Sequence, residues 1–159
     1  MLTCLCYFCE KASNRRNRVN NSQLSILQNS TDKTPIFTLD SKEFNAKCTK
    51  CYDADTVHLV FLYNGQLSRW TCRLEGIDSA EIKSNDEQER EFAIKSRDYL
   101  KGLILDKIVT IKCGKFDKYG RLLVTINLDE LNINNHLVKN GYAYSYNGKT
   151  KKAFREWHN

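Results

Sequence analysis

The tightest constraint on how this chain folds lies at Asn64-Gly65. A two-residue loop of this type between strand-like runs is the strongest short-range hairpin signal. Its type I′ turn needs positive φ at both central residues, which Asn and Gly accept. Ahead of it, Val57 to Tyr63 is rich in β-branched and aromatic residues, which suit a pleated, half-buried surface. A return strand is predicted from about Leu67 to Ile77. Alternation puts Trp70, Cys72 and Leu74 on one face and Arg69, Thr71, Arg73 and Glu75 on the other. With the apolar face taken as core, Arg73 points away from it.

Further along, Ser84-Asn85-Asp86-Glu87 has the form of a capping box opening a helix. Phe92, Ala93, Ser96, Leu100, Leu103 and Ile104 give that helix a buried stripe. Lys107 to Cys113 reads as a strand, with Ile108, Val109 and Ile111, and Leu122 to Leu128 as another after a turn at Tyr119-Gly120. A short helix is predicted around Asn134 to Asn140 with Leu137 and Val138 inward, ended by Gly141 in the left-handed conformation. This order predicts an α+β fold, mainly β: a small barrel with helices packed on it.

A chain of 159 residues leaves room for one such domain and a tail. The boundary is expected after residue 42. Residues 1–42 read as a flexible Cys/Arg/Asn-rich extension, with the basic run Asn14-Arg15-Arg16-Asn17-Arg18 and the single proline, Pro35. Residues 43–159 form the folded domain. The net charge of +6 is compatible with a polyanionic partner. No apolar run is long enough to span a bilayer, and Met1 to Cys9 lacks the basic start and small-residue cleavage site of a secretory signal. The seven cysteines are therefore expected as reduced thiols in an intracellular, cytoplasmic protein. Cys4, Cys6 and Cys9 are either S-acylated, tethering the protein to a membrane, or free thiols of a disordered tail. Cys48-Thr49-Lys50-Cys51 has zinc or redox spacing, but no second Cys-x-x-Cys follows in the core. It reads as a first strand whose two cysteines point to opposite faces.

Three carboxylates and two arginines stand in order through this layout: Asp55, Arg73, Asp78, Glu81 and Arg121. Converging carboxylates can hold a hard cation and leave one over as a base. Arginines beside them can grip a phosphate through the planar guanidinium fork. Taken singly they are a polar turn, a solvated loop and surface arginines. Their order among the strand and turn signals points to phosphodiester cleavage.

Four segments carry a resemblance. They are Tyr52-Asp53-Ala54-Asp55-Thr56-Val57, Arg73 through Gly76-Ile77-Asp78-Ser79-Ala80-Glu81, Asp117-Lys118-Tyr119-Gly120-Arg121-Leu122, and Ile133 through Gly141-Tyr142-Ala143. Together they resemble the staphylococcal nuclease-like (thermonuclease) family over roughly residues 44–146. The resemblance implies a five-stranded OB-type barrel with two or three packed helices. It implies calcium-dependent hydrolysis of DNA and RNA that leaves 3′-phosphates, by a monomer that prefers single-stranded or frayed substrate. By the same resemblance Asp55 and Asp78 ligate Ca2+ through their carboxylates and Ser79 through its backbone carbonyl. Glu81 is the base for the attacking water, and Arg73 and Arg121 bind the scissile phosphate. Asp53 supports the metal ligands, and Lys118, Tyr119 and Tyr146 lie along the nucleotide. The chain departs from the family pattern at Ala54, where glycine is usual, and at Ser79-Ala80, where threonine and proline are. It also ends short of the long final helix of the bacterial enzymes. The alternative is a catalytically weak or inactive OB-fold module that binds nucleic acid or protein. DNA and RNA remain equal alternatives as substrate.

Overall fold

A computed structural model describes residues 21–158. Cys4, Cys6, Cys9 and the basic run at 14–18 lie outside the described residues. The chain divides into two compact units, Met1–Phe37 and Thr38–Asn159. Within the first, helix α1 (Asn21–Gln28) is followed by a turn in which Thr34 N–H donates to the Thr31 carbonyl at 2.9 Å. No helix among the described residues is long and apolar enough to cross a membrane.

The second unit takes in residues 38–42, which the sequence groups with the extension. Leu39 is fully buried in its core. Ser41 N–H donates to the Cys113 carbonyl, and Cys113 N–H donates to Lys42, both at 2.8 Å. The strands are β1 (Glu43–Cys51), β2 (Thr56–Tyr63), β3 (Gln66–Leu74), β4 (Ile77–Asp78), β5 (Ile108–Phe116), β6 (Leu122–Leu128), β7 (Leu131–Asn132) and β8 (Tyr144–Ser145). Five of them form a closed mixed barrel in the order β3-β2-β1-β5-β6. It is closed by the parallel pairing of β3 with β6, Cys72 opposite Leu122 and Leu74 opposite Val124. This is the expected OB-type α+β fold.

The hairpin turns where the sequence places it. Asn64 and Gly65 have φ of 48° and 78°, and Tyr63 pairs with Gln66. The return strand, however, stops at Leu74 instead of running to Ile77. Leu74 and Ile77 are both buried, and residues three apart cannot share one face of a continuous strand. The break falls at Gly76, whose φ of 79° lets the chain step sideways. Ile77 and Asp78 then start a separate pairing with β8.

Val57, Leu59 and Phe61 of β2 meet Cys72 and Leu74 of β3 and Leu122, Val124 and Ile126 of β6 inside the barrel. Strand β1 departs from simple alternation. Its register on β2 slips between Cys48 and Lys50, and a bulged residue shifts the faces beyond it. Cys48 and Cys51 therefore do not point to opposite sides. Both are buried, with their sulfurs 3.8 Å apart.

Helix α2 (Glu87–Ile104) is not opened by the Ser84 capping box. Asp86 is the N-cap and its carboxylate accepts from Gln88 and Glu89 N–H, while Ser84 Oγ donates to the Glu89 carboxylate at 2.6 Å. Ala93, Ser96, Leu100 and Ile104 are its buried residues. Phe92 is half-buried and packs on rings of Tyr142, Phe154 and Trp157. Helix α3 (Ile133–Lys139) is capped by Asn132, and Gly141 ends it with a φ of 74°. Its buried Asn134 accepts from Ile126 N–H and donates to the Glu75 and Val124 carbonyls, fastening the helix to the barrel end. A last short helix, α4 (Phe154–Trp157), sets Trp157 against Tyr144 at 5.0 Å.

Candidate active site

The lower end of the β2–β3 hairpin gathers the charged residues. Thr56 pairs with Arg73 across the two strands. Arg73 faces away from the buried Cys72 and Leu74, yet it is not free in solvent. Its guanidinium reaches Asp55 Oδ2 at 2.8 Å through one nitrogen and Asp78 Oδ1 through the other. One fork thus joins a residue just before β2 to one in β4. Asp55 and Asp78 are 3% and 2% exposed. A buried carboxylate persists as an anion only with partners, and here each has at least two. Thr56 Oγ1 donates to Asp55 Oδ1 at 2.8 Å, and Tyr144 donates its hydroxyl to Asp78 Oδ2 at 2.6 Å.

The two acids respond differently to burial. Burial pushes Asp55 up to about 8, the neighbouring Asp53 adds to this, and Arg73 pulls the other way. Asp78 feels the same cost of burial, but Tyr144, Arg73 and Lys151 outweigh it and hold its carboxyl below the usual range. Burial, and then its bond to Asp78, push the Tyr144 hydroxyl up to about 12.

Arg121 enters from the turn between β5 and β6. Gly120, at φ 78°, closes the turn, and Asp117 organises it by accepting from the N–H groups of Tyr119 and Arg121. Asp117 Oδ2 also holds the Arg121 side chain at 2.7 Å, and Arg121 donates to Thr56 Oγ1 at 3.4 Å. Lys118 Nζ and the Arg121 guanidinium lie over the exposed Tyr119 ring, 5.0 and 5.4 Å from its centroid. Glu81 projects from the loop after β4, where Lys151 holds Oε1 at 2.6 Å. Ala54 is fully buried and is not among the residues with positive φ, so the site turn forms without glycine.

These residues border one cleft of about 830 Å³. Asp53, Asp55, Arg73, Ser79 and Glu81 line it, with Lys118, Tyr119, Arg121 and Tyr146. Asp78 lies beneath, reached through Arg73 and Lys151. Every folded-domain residue of the expected metal, catalytic and substrate set is thus brought to this place, while Cys48 and Cys51 lie elsewhere in the core. Sequence reasoning missed Tyr144, Thr56, Asp117 and Lys151. The first three leave a trace: Tyr144 stands two residues before the singled-out Tyr146, and Thr56 and Asp117 sit inside the motifs. Lys151 leaves none, being one lysine among several in an irregular tail.

The donor set suits a hard cation. It is made of oxygens alone, from two buried carboxylates and the adjoining Ser79 backbone, with Asp55 short of compensating positive charge. Among the described residues no three His, Cys, Asp or Glu side chains converge closely enough to hold a metal ion in the present arrangement. The acids are turned instead toward Arg73 and Lys151.

Residues 71–159 match the family model described as staphylococcal nuclease homologue. The chain is 35% identical over 114 residues to "Endonuclease YhcR" of Bacillus subtilis (strain 168), covering 65% of this chain and 9% of that protein. It is 24% identical over 145 residues to "Probable endonuclease LCL3" of Candida tropicalis, covering 77% of this chain and 62% of that one. The chain therefore spans less than two thirds of the length of either relative. With more than half of its residues matched, and on an OB-type barrel, the chain belongs to the staphylococcal nuclease homologue family of nucleases.

Proposed function

We propose that this domain is a calcium-dependent nuclease that hydrolyses phosphodiester bonds of DNA or RNA and leaves 3′-phosphates. The observation that carries this reading is the Arg73 fork, which draws Asp55 and Asp78 together at the floor of a cleft that also holds Glu81 and Arg121. Asp55, Asp78 and the Ser79 carbonyl would hold the calcium ion, which when bound supplies positive charge that polarises the phosphoryl group. Arg73 and Arg121 bind the non-bridging oxygens and stabilise the charge that builds on them. Glu81 takes the proton of the attacking water, a role worth roughly 10² to 10⁴ in rate. Tyr119, exposed in the cleft lining beside Lys118, offers a stacking face to a base, and Tyr146 lines the same cleft. The relatives' names support cleavage within a strand.

The test is incubation with single-stranded DNA and RNA in calcium and then in a chelator, with analysis of product ends. Calcium-dependent fragments carrying 3′-phosphates are expected. Cleavage that persists in chelator rejects the metal assignment. Fragments bearing 5′-phosphates reject the direction of attack. Binding with no cleavage under any condition favours the non-catalytic module.

A further inference from the structure

The loop after β8 carries a cation into the heart of the acidic cluster. Lys151 Nζ lies 2.6 Å from Glu81 Oε1 and 3.1 Å from Asp78 Oδ1. One ammonium thus bridges the carboxylate read as the base and a carboxylate read as a metal ligand. Its position is not left to a loose tail. Tyr146 N–H donates to the Gly76 carbonyl at 2.9 Å, and the Tyr146 hydroxyl donates to the Lys149 carbonyl at 2.9 Å. Lys152 N–H donates to the Tyr144 hydroxyl at 3.0 Å, and that same hydroxyl donates to Asp78. Helix α4 then anchors the far side through Trp157 on Tyr144 and Phe154 on Phe92. The backbone around Lys151 is fastened, while its side chain is 49% exposed. An ammonium on a four-carbon stem rehydrates readily and can swing away without unfolding anything.

We propose that Lys151 is a built-in counter-cation of this site: its ammonium holds the place between Asp78 and Glu81, competes with the divalent cation for Asp78, and withdraws when that cation binds. The proposal rests on the calcium reading given above and explains why the acids face Arg73 and Lys151 rather than a common centre. While the lysine is in place, Glu81 is also tied up as an acceptor, so cation arrival and release of the base are one event. A competing internal state lowers apparent affinity by the fraction of molecules free of it. Partly exposed ion pairs of this kind stabilise by a few tenths to about one kcal/mol each, so two of them reduce apparent calcium affinity roughly three- to thirtyfold.

The test is calorimetric titration of calcium, without nucleic acid, into metal-free wild type, Lys151→Met and Lys151→Arg. Lys151→Met is expected to bind calcium roughly three- to thirtyfold more tightly, and Lys151→Arg no more tightly than wild type. In a second measurement, metal-free Lys151→Met melts about 2–4 °C below wild type, and saturating calcium removes the difference. Equal calcium affinities in wild type and Lys151→Met overturn the proposal and leave the calcium reading standing. A weaker grip on an oligonucleotide by Lys151→Met, with calcium affinity unchanged, also overturns it and makes Lys151 a substrate contact. If none of the three proteins binds calcium, the calcium reading itself fails and takes this proposal with it.

Discussion

Strands β2 and β3 are joined at one end by Asn64-Gly65 and at the other carry Thr56 opposite Arg73. The two ends of this one hairpin are built on different principles. The turn end is local: two residues with positive φ close it, nothing lies within 4 Å of where a Gly65 Cβ would sit, and Leu62 and Leu67 beside it are exposed. The site end is assembled from afar: Arg73 is held by Asp55 and Asp78, Tyr144 by Asp78, and Thr56 by Arg121. The first is specified by its own residues and carries no charged cluster. The second stores charge in a buried place and depends on four separate stretches of chain arriving there.

Substitutions can break that contrast, beginning at the site end. Arg73→Lys keeps the charge and loses the fork, so it cannot join both acids and grip phosphate in one plane. Cleavage of single-stranded DNA in calcium is expected to fall roughly 10²- to 10³-fold, with circular dichroism unchanged. Near-normal turnover would show that the fork is dispensable. Tyr144→Phe leaves Asp78 Oδ2 and the Lys152 N–H each without the hydroxyl that now pairs them. The expected loss is about 1–3 kcal/mol in urea unfolding. At the turn end, Gly65→Ala meets no steric neighbour but must hold a φ of 78°. It is expected to cost about 1 kcal/mol and to leave cleavage untouched. An effect of Gly65→Ala on kcat would mean that the two ends are coupled.

Asp117→Asn gives the smallest effect and tests electrostatics alone. Burial works against the Asp117 carboxylate, but the N–H and guanidinium of Arg121 and the N–H of Tyr119 outweigh it, so its folded pKa lies below the usual range. A depressed carboxylate pKa contributes stability above the unfolded value, lost as pH falls through the folded one. Wild type should therefore exceed Asp117→Asn by under about 1 kcal/mol near neutral pH. The gap should close as the pH drops below about 4. A gap that persists at low pH would place the contribution in packing, not charge.

How much of this was legible follows from the same contrast. The hairpin, the turn at Gly120 and the end of α3 at Gly141 rest on the chain's local preferences, and single residues announce them. The positions of Asp55, Arg73, Asp78, Glu81 and Arg121 could be read because they sit in motifs adjoining those turns. Three features were not legible. The slip in β1 that brings Cys48 and Cys51 to one face depends on β2 and β5 flanking that strand. The break before Ile77 depends on β8 being there to pair with it. Lys151 enters the site because the bonds of Tyr146 to Gly76 and of Lys152 to Tyr144, with the aromatic packing of α4, fasten a tail whose own residues express no preference.

The seam between β3 and β6 has a consequence in time. It is the barrel's parallel pairing, and its partners, Cys72 with Leu122, are far apart in sequence. Contacts between distant stretches of chain form late, because the long loop between them must first be ordered. Arg73 lies in that seam opposite Leu123, and Arg121 adjoins its residue Leu122. The pairing that closes the barrel therefore also brings together, from distant stretches of chain, the two arginines read as phosphate ligands, so closing the barrel and assembling the cleft are a single structural event.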